Sequence, residues 1–256
     1  MKKIRLLIVC FMIIPLFMPA SPVSAFEQTS ISGLGSTKMV HAELFMPDGK
    51  GPFPAVLILH TSGGVKKYDI AYAQKLAQEG YACLIPYYFD AYSISYATRN
   101  WATTVYAENI LSDFTAEIQY LKDQPKINKE KIGAVGFSMG GYWALILAGM
   151  KKVQAGVSYY GALSGGAINS EIRYHFEDVF NKHSSPVLIL HGEDDMIVDV
   201  KFAQQLAGML KGKFCTYELH IYPNARHRFD RGESLHVPAA RDSWSRTLSF
   251  LKKYLH

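Results

Sequence analysis

Cysteine is scarce in this sequence, with three in 256 residues, at positions 10, 83 and 215. No Cys-x-x-Cys pair and no His/Cys grouping with zinc-ligand spacing occurs, so a zinc module is excluded and no metal or other cofactor is expected. A chain of this size can bury a sufficient core without disulfides. Cys83 and Cys215 lie in strand-like runs, Tyr81–Ile85 and Phe214–Tyr217, and are expected to be unpaired, buried small hydrophobes. Charge is also modest, at 19% of residues, with a net value of +5. Lys2, Lys3 and Arg5 carry three of those five charges. No basic stripe with interleaved aromatics remains, so nucleic acid is not an expected partner. There is no low-complexity tract and no internal repeat. An apolar fraction of 49% excludes a disordered chain.

No apolar run is long enough for a comfortable membrane span, which needs ~20 residues. The longest, Leu6–Met18, follows the basic start and is broken by Pro19 and Pro22. Val23-Ser24-Ala25 then offers small residues where a signal peptidase reads. Residues 1–25 are therefore read as a signal peptide that exports the protein to the periplasm or medium. The mature chain would begin at Phe26 and keep no stable membrane association. An uncleaved N-terminal anchor is the alternative. Val9 stands before Cys10 where a lipoprotein signal needs a small residue, which excludes lipidation.

What the remainder does have is regular alternation of strand and helix signals. Residues 38–46 alternate loosely and end at the turn Pro47-Asp48-Gly49. Pro54–His60 is a continuous apolar run of the kind buried on both faces of a parallel sheet. Strands follow at 81–86, 132–137, 153–159, 186–190 and 214–222. Helical spacing intervenes around Ile70–Ala77, Ile110–Leu121, 139–150, 200–210 and 239–254. This predicts an α/β fold with a mainly parallel central sheet and helices on both faces. Such sheets carry active sites at the carboxyl ends of their strands.

The strand ends hold a consistent set of groups. Strand 132–137 runs into Gly136-Phe137-Ser138-Met139-Gly140, a G-x-S-x-G between a buried strand and a helix. That turn holds a serine in a strained, exposed position. A serine hydroxyl needs a base. His227 lies in the loop after the last strand, whereas His220 is inside it and His256 is at the C-terminus. The base in turn needs an acid. Strand 186–190 leads into His191-Gly192-Glu193-Asp194-Asp195-Met196-Ile197-Val198-Asp199. Asp195 fits best, Asp194 is the runner-up, and Asp199 suits a helix N-cap. An oxyanion needs two backbone N–H donors. Met139 is one candidate. The loop His60-Thr61-Ser62-Gly63-Gly64 supplies the other, with Ser62 ahead of Thr61.

From about residue 40 to 254 the chain resembles the dienelactone hydrolase family of the α/β-hydrolase superfamily. The matching pieces are Pro54–His60, Leu76–Tyr81, Gly136–Gly141, Val157-Ser158-Tyr159-Tyr160-Gly161, His191–Asp195 and His227-Arg228-Phe229. The resemblance implies an α/β-hydrolase fold, hydrolysis of a small ester or lactone, no cofactor, and Asp195 as the acid. The enzymes that name the family use a cysteine nucleophile and a glutamate in the first oxyanion loop. This chain has Ser138 and Thr61 there, so a general carboxylesterase acting through an acyl-enzyme is expected. The resemblance also implies that Arg231, four residues after His227, holds a substrate carboxylate; a surface salt bridge to Asp230 or Glu233 is the competing reading. The family's other such arginine has no counterpart near Asp90-Ala91, and Arg99 could replace it if its loop folds inward. Residues 26–256 are read as a single catalytic domain with a short cap-like insertion around 164–185, including a helix near Glu171–Phe180. The aromatic run Tyr87–Tyr92 either lines the pocket or packs. A prolyl-oligopeptidase-type peptidase shares the order Ser, Asp, His, but no propeller-like region is present. A binding protein on a retained hydrolase fold is the non-enzymatic alternative.

Overall fold

The computed structural model describes residues 26–163 and 171–256. The signal-peptide reading of residues 1–25, and the first part of the cap-like segment, lie outside them.

Apolar side chains alternate between the two faces of the central strands. In β3 (Phe53–Leu59), Val56 and Ile58 join one core cluster while Leu57 and Leu59 join the other. Both sides of the strand are therefore dry, as expected of a parallel strand sandwiched between helices. Truncating a fully buried residue such as Leu57 to alanine costs about 2–5 kcal/mol. The remaining strands are β1 (Phe26–Ser32), β2 (Met39–Phe45), β4 (Ala82–Pro86), β5 (Ile127–Phe137), β6 (Gly156–Tyr159), β7 (Val187–Gly192) and β8 (Tyr217–Tyr222). They form one sheet in the order β1-β2-β4-β3-β5-β6-β7-β8. β2 is antiparallel to both β1 and β4, and every other pairing is parallel.

Helices cover both faces. α1 (Lys67–Gln78) and α6 (Val237–Leu255) pack on the side of Val56 and Ile58, through Leu76, Phe250 and Leu251. α2 (Ala107–Asp123), α3 (Met139–Gly149) and α5 (Val200–Gly212) take the other side, through Ile110, Phe114, Leu147, Leu206 and Leu210. α2 is amphipathic and buries only a stripe. α3 is buried along its whole length, which explains why its sequence is apolar all round. Within the cap-like segment, the one described helical turn is α4 (Phe176–Val179). Asp199 caps α5 by accepting from the Lys201 N–H at 2.9 Å. No helix among the described residues is long and apolar enough to cross a membrane.

Several details differ from the sequence reading: β6 begins at Gly156 rather than residue 153, and the helix expected near Glu171–Phe180 is the single turn α4. β1 was not expected. Only Ile31 of its seven residues is buried, so it carries no clear alternation. β5 starts at Ile127 rather than Ile132. Cys215 precedes β8 and is only half-buried. Cys83 and Cys215 are both free. Five strand spacings separate β4 from β8, about 24 Å, which no disulfide spans.

Candidate active site

The parallel strands β3, β5, β6, β7 and β8 deliver their carboxyl ends to one edge of the sheet. Ser138 sits between the end of β5 and the start of α3 with φ 53° and ψ −116°, a conformation that L-residues rarely adopt. The turn is tight because two glycines permit it. A Cβ on Gly136 would lie 1.9 Å from the Gly140 carbonyl oxygen, and one on Gly140 would lie 2.0 Å from that of Leu59. The Ser138 N–H donates to the Tyr159 carbonyl at 2.9 Å, which pins the turn to β6.

Three side chains then form a line. His227 Nε2 lies 3.1 Å from Ser138 Oγ, and His227 Nδ1 lies 2.7 Å from Asp195 Oδ2. With Nδ1 donating to the carboxylate, Nε2 presents its lone pair to the hydroxyl. Asp195 is 5% exposed and Asp194 is open to solvent, so the geometry selects Asp195. Asp195 Oδ1 accepts the Ile197 and Val198 N–H groups, each at 2.9 Å. His191 Nε2 donates to the Val198 carbonyl at 2.8 Å and stands 3.4 Å from Asp195 Oδ2. Burial alone would raise the Asp195 pKa. The close approach of the His191 N–H, with hydrogen bonds from His227 and the Val198 amide, outweighs it and holds the carboxyl far below its usual range.

A cavity of about 200 Å³ opens over Ser138. Its walls are Ser62, Arg99, Asn100, Met139, Leu163, Ile197 and Val198. Both residues named as oxyanion donors, Ser62 and Met139, therefore border the serine. Among the described residues, neither backbone N–H has a hydrogen-bond partner. A roomier hollow of about 450 Å³ lies between α1 and α6, against Tyr72, Tyr159 and Trp244. None of Ser138, His227 and Asp195 reaches it, so the smaller cavity is where reactive groups converge. No cluster of three or more metal-ligating side chains is found among the described residues.

The family model for dienelactone hydrolases matches residues 40–255. The chain belongs to the dienelactone hydrolase family. A Bradyrhizobium protein named as a probable 2-oxo-3-(5-oxofuran-2-ylidene)propanoate lactonase is 25% identical over 247 residues, covering 92% of this chain and 97% of that protein. The carboxymethylenebutenolidase of Rhodococcus opacus is 26% identical over 250 residues, covering 93% and 94%. A crystal structure from Klebsiella pneumoniae, named provisionally as a dienelactone hydrolase, has a TM-score of 0.78 at 25% identity, covering 90% of this chain and 99% of that one. The fold is that of the α/β hydrolases, and the family is one of hydrolases.

The dienelactone hydrolase signature residues of this chain have a plain physical role. The Tyr160 ring stands edge-on to His227 with centroids 4.7 Å apart, and Phe229 packs against Tyr160, Tyr159 and Tyr222. This aromatic bed fixes the imidazole plane. The sequence reading missed Tyr160 and His191 as supports. The aromatic packing of the tyrosine pair and the position of His191 at the end of β7 were the available signals.

The expectation for Arg231 is corrected. Arg231 is 6% exposed and does not border the cavity over Ser138. Nη1 donates to Asp69 at 2.7 Å, Nε donates to Asp230 at 2.8 Å, and the guanidinium lies 3.6 Å from the Phe137 ring centroid. Two carboxylates and an aromatic face occupy it. The salt bridge to Asp230 exists but is buried rather than superficial. The cavity's arginine is Arg99, which also donates to the Tyr96 carbonyl at 2.6 Å. The Tyr87–Tyr92 run packs instead of lining that cavity. Tyr88 is fully buried and Tyr87 donates to Glu43.

Proposed function

We propose that this protein hydrolyses small carboxylic esters or lactones with Ser138 as the nucleophile. The observation that carries the reading is the single imidazole of His227, within hydrogen-bond distance of both Ser138 Oγ and Asp195 Oδ2. Ser138 Oγ attacks the ester carbonyl as its proton passes to His227 Nε2. Asp195, held ionised, stabilises the resulting imidazolium. The carbonyl oxygen becomes an oxyanion that the N–H groups of Met139 and Ser62 receive. Collapse expels the alkoxide, which takes the proton from His227, and leaves an acyl-serine. Water then attacks the acyl-serine, giving a proton to His227, and Ser138 Oγ departs with that proton from His227 as the acid is released. In a lactone, alcohol and acid remain on one molecule. Arg99 at the cavity wall supports a preference for substrates bearing a carboxylate, a role moved here from Arg231.

The deciding experiment is labelling with a fluorophosphonate, followed by peptide mass analysis and assay on p-nitrophenyl esters of increasing acyl length. Modification is expected on Ser138 alone. The Ser138→Ala variant should fold normally and lose kcat/KM by at least about 1,000-fold. An unlabelled Ser138, or a variant keeping a tenth of the activity, would rule the reading out. The basic start and apolar run of residues 1–25 support a reading as an export signal, and the intact mass of an exported protein is then expected to begin at Phe26.

A further inference from the structure

His60 lies at the end of β3, one peptide before the segment that carries Ser62. It is 1% exposed and stacks flat on Tyr88, with centroids 3.8 Å apart and planes 4° apart; Phe89 meets it edge-on at 4.8 Å. This is a slot built for a flat ring. An apolar ring would suit it better, since among the described residues His60 Nε2 is buried with no hydrogen-bond partner. Packing therefore does not explain why the residue is histidine.

The other nitrogen does. His60 Nδ1 lies 2.7 Å from the Thr61 carbonyl oxygen. A carbonyl only accepts, so the proton is on Nδ1 and Nε2 is bare. The Gly64 N–H donates to the same oxygen at 3.1 Å, and the two donors together use both of its lone pairs. The Thr61 carbonyl and the Ser62 N–H belong to one trans peptide and point in opposite directions. Fixing the carbonyl on the protein side therefore aims the Ser62 N–H the other way, and Ser62 borders the cavity over Ser138. The preceding peptide is held as well. Tyr88 Oη donates to the His60 carbonyl at 2.8 Å, and Gly140 lets α3 abut that stretch, since a Cβ there would meet the His60 carbonyl at 2.6 Å.

We propose that His60 is a positioning residue that orients the Ser62 N–H toward the developing oxyanion through its hydrogen bond to the Thr61 carbonyl. The ring does not touch substrate. It converts a loop amide, which would otherwise rotate with the Thr61–Gly64 turn, into a fixed donor. This rests on the ester-hydrolysis reading above. Burial lowers the His60 pKa to about 4, outweighing the hydrogen bond to Thr61, so the ring stays neutral at neutral pH.

Two substitutions separate this role from a structural one. His60→Phe keeps the stacked ring and removes both the donor and the orphan nitrogen. His60→Asn places an amide N–H close to where Nδ1–H was. Wild type, both variants and Ser138→Ala are compared on p-nitrophenyl acetate, with melting temperatures alongside. His60→Phe should melt at or above the wild-type temperature, lose about 10- to 100-fold in kcat, and change KM by less than about threefold. His60→Asn should recover most of that kcat. If His60→Phe keeps kcat within about threefold of wild type, or if both variants lose kcat in step with melting temperature, the proposal is overturned. Should Ser138→Ala hydrolyse as fast as wild type, the underlying reading fails, and this one fails with it.

Discussion

Arg231 and Asp69 meet at 2.7 Å although 162 positions separate them in sequence. The contact ties the loop after His227 to the start of α1, under the Phe137 ring. Asp69 Oδ2 also accepts the Lys66 N–H at 2.9 Å, so one carboxyl joins a helix start to the arginine. Burial pushes the Asp69 carboxyl up, and Arg231 pulls it back.

Replacing Arg231 with methionine leaves Asp69 and Asp230 without their cation. Breaking such a buried pair from one side costs about 3–5 kcal/mol. A melting temperature lower by roughly 10 °C is expected. Asp69→Asn in the same background should recover part of it, because the uncompensated charge is gone. A single variant melting within about 2 °C of wild type would show that the cluster is dispensable.

Asp195→Asn retains the shape but reverses one donor. If the new amide group faces the Ile197 and Val198 N–H groups, donors collide. If it faces His227, the ring must turn its proton toward Ser138, and the base is lost. A fall in kcat of about 1,000- to 10,000-fold is expected. Because the native carboxyl titrates below the ordinary aspartate value of about 3.9, its contribution to stability is complete above that pH and fades as pH falls through the native value. The melting difference between variant and wild type should therefore shrink below about pH 4. A difference that stays constant from pH 7 to the acid limit would contradict the assignment.

His60 predicts a separate acid sensitivity. Its pKa falls from 6.5 to about 4 on folding because the ring is buried. Between those values the unfolded chain binds a proton that the native protein does not, so stability falls as pH falls. The loss over the window is roughly 3 kcal/mol, and this contribution is flat below pH 4. Melting curves from pH 7 to 4 should slope less steeply for His60→Phe than for wild type. Equal slopes would remove His60 as the cause.

Arg99→Ala tests which arginine meets the substrate. KM for an ester carrying a free carboxylate should rise about tenfold, while a neutral acetate ester is almost unaffected. Equal losses on both would mean that Arg99 only shapes the loop with Tyr96.

Sequence alone located the strand ends well because the central strands are apolar on both faces and leave little choice of boundary. Ser138 could be found as the residue immediately beyond β5, and His227 as the histidine in the loop that follows β8. The choice of Asp195 over Asp194 was harder. It turns on which carboxylate can accept the Ile197 and Val198 amides, a matter of one residue in a tight loop. Arg231 was misplaced because its offset from His227 is local, whereas its partner Asp69 is distant. β1 was not legible because a strand with one buried residue has no alternation. The role of His60 was hidden for a similar reason: its ring partners, Tyr88 and Phe89, come from the far side of α1.

Among the described residues β8 is an outermost strand, paired only with β7, and five of its six residues are merely half-buried. Ser138 and Asp195, by contrast, follow strands buried to their ends. The imidazole thus depends on the part of the sheet with the least to lose by opening, and such peripheral segments unfold locally at lower cost than the centre. Gentle heating should silence the protein before it melts, with amide exchange quickening first along 217–222 and activity returning on cooling.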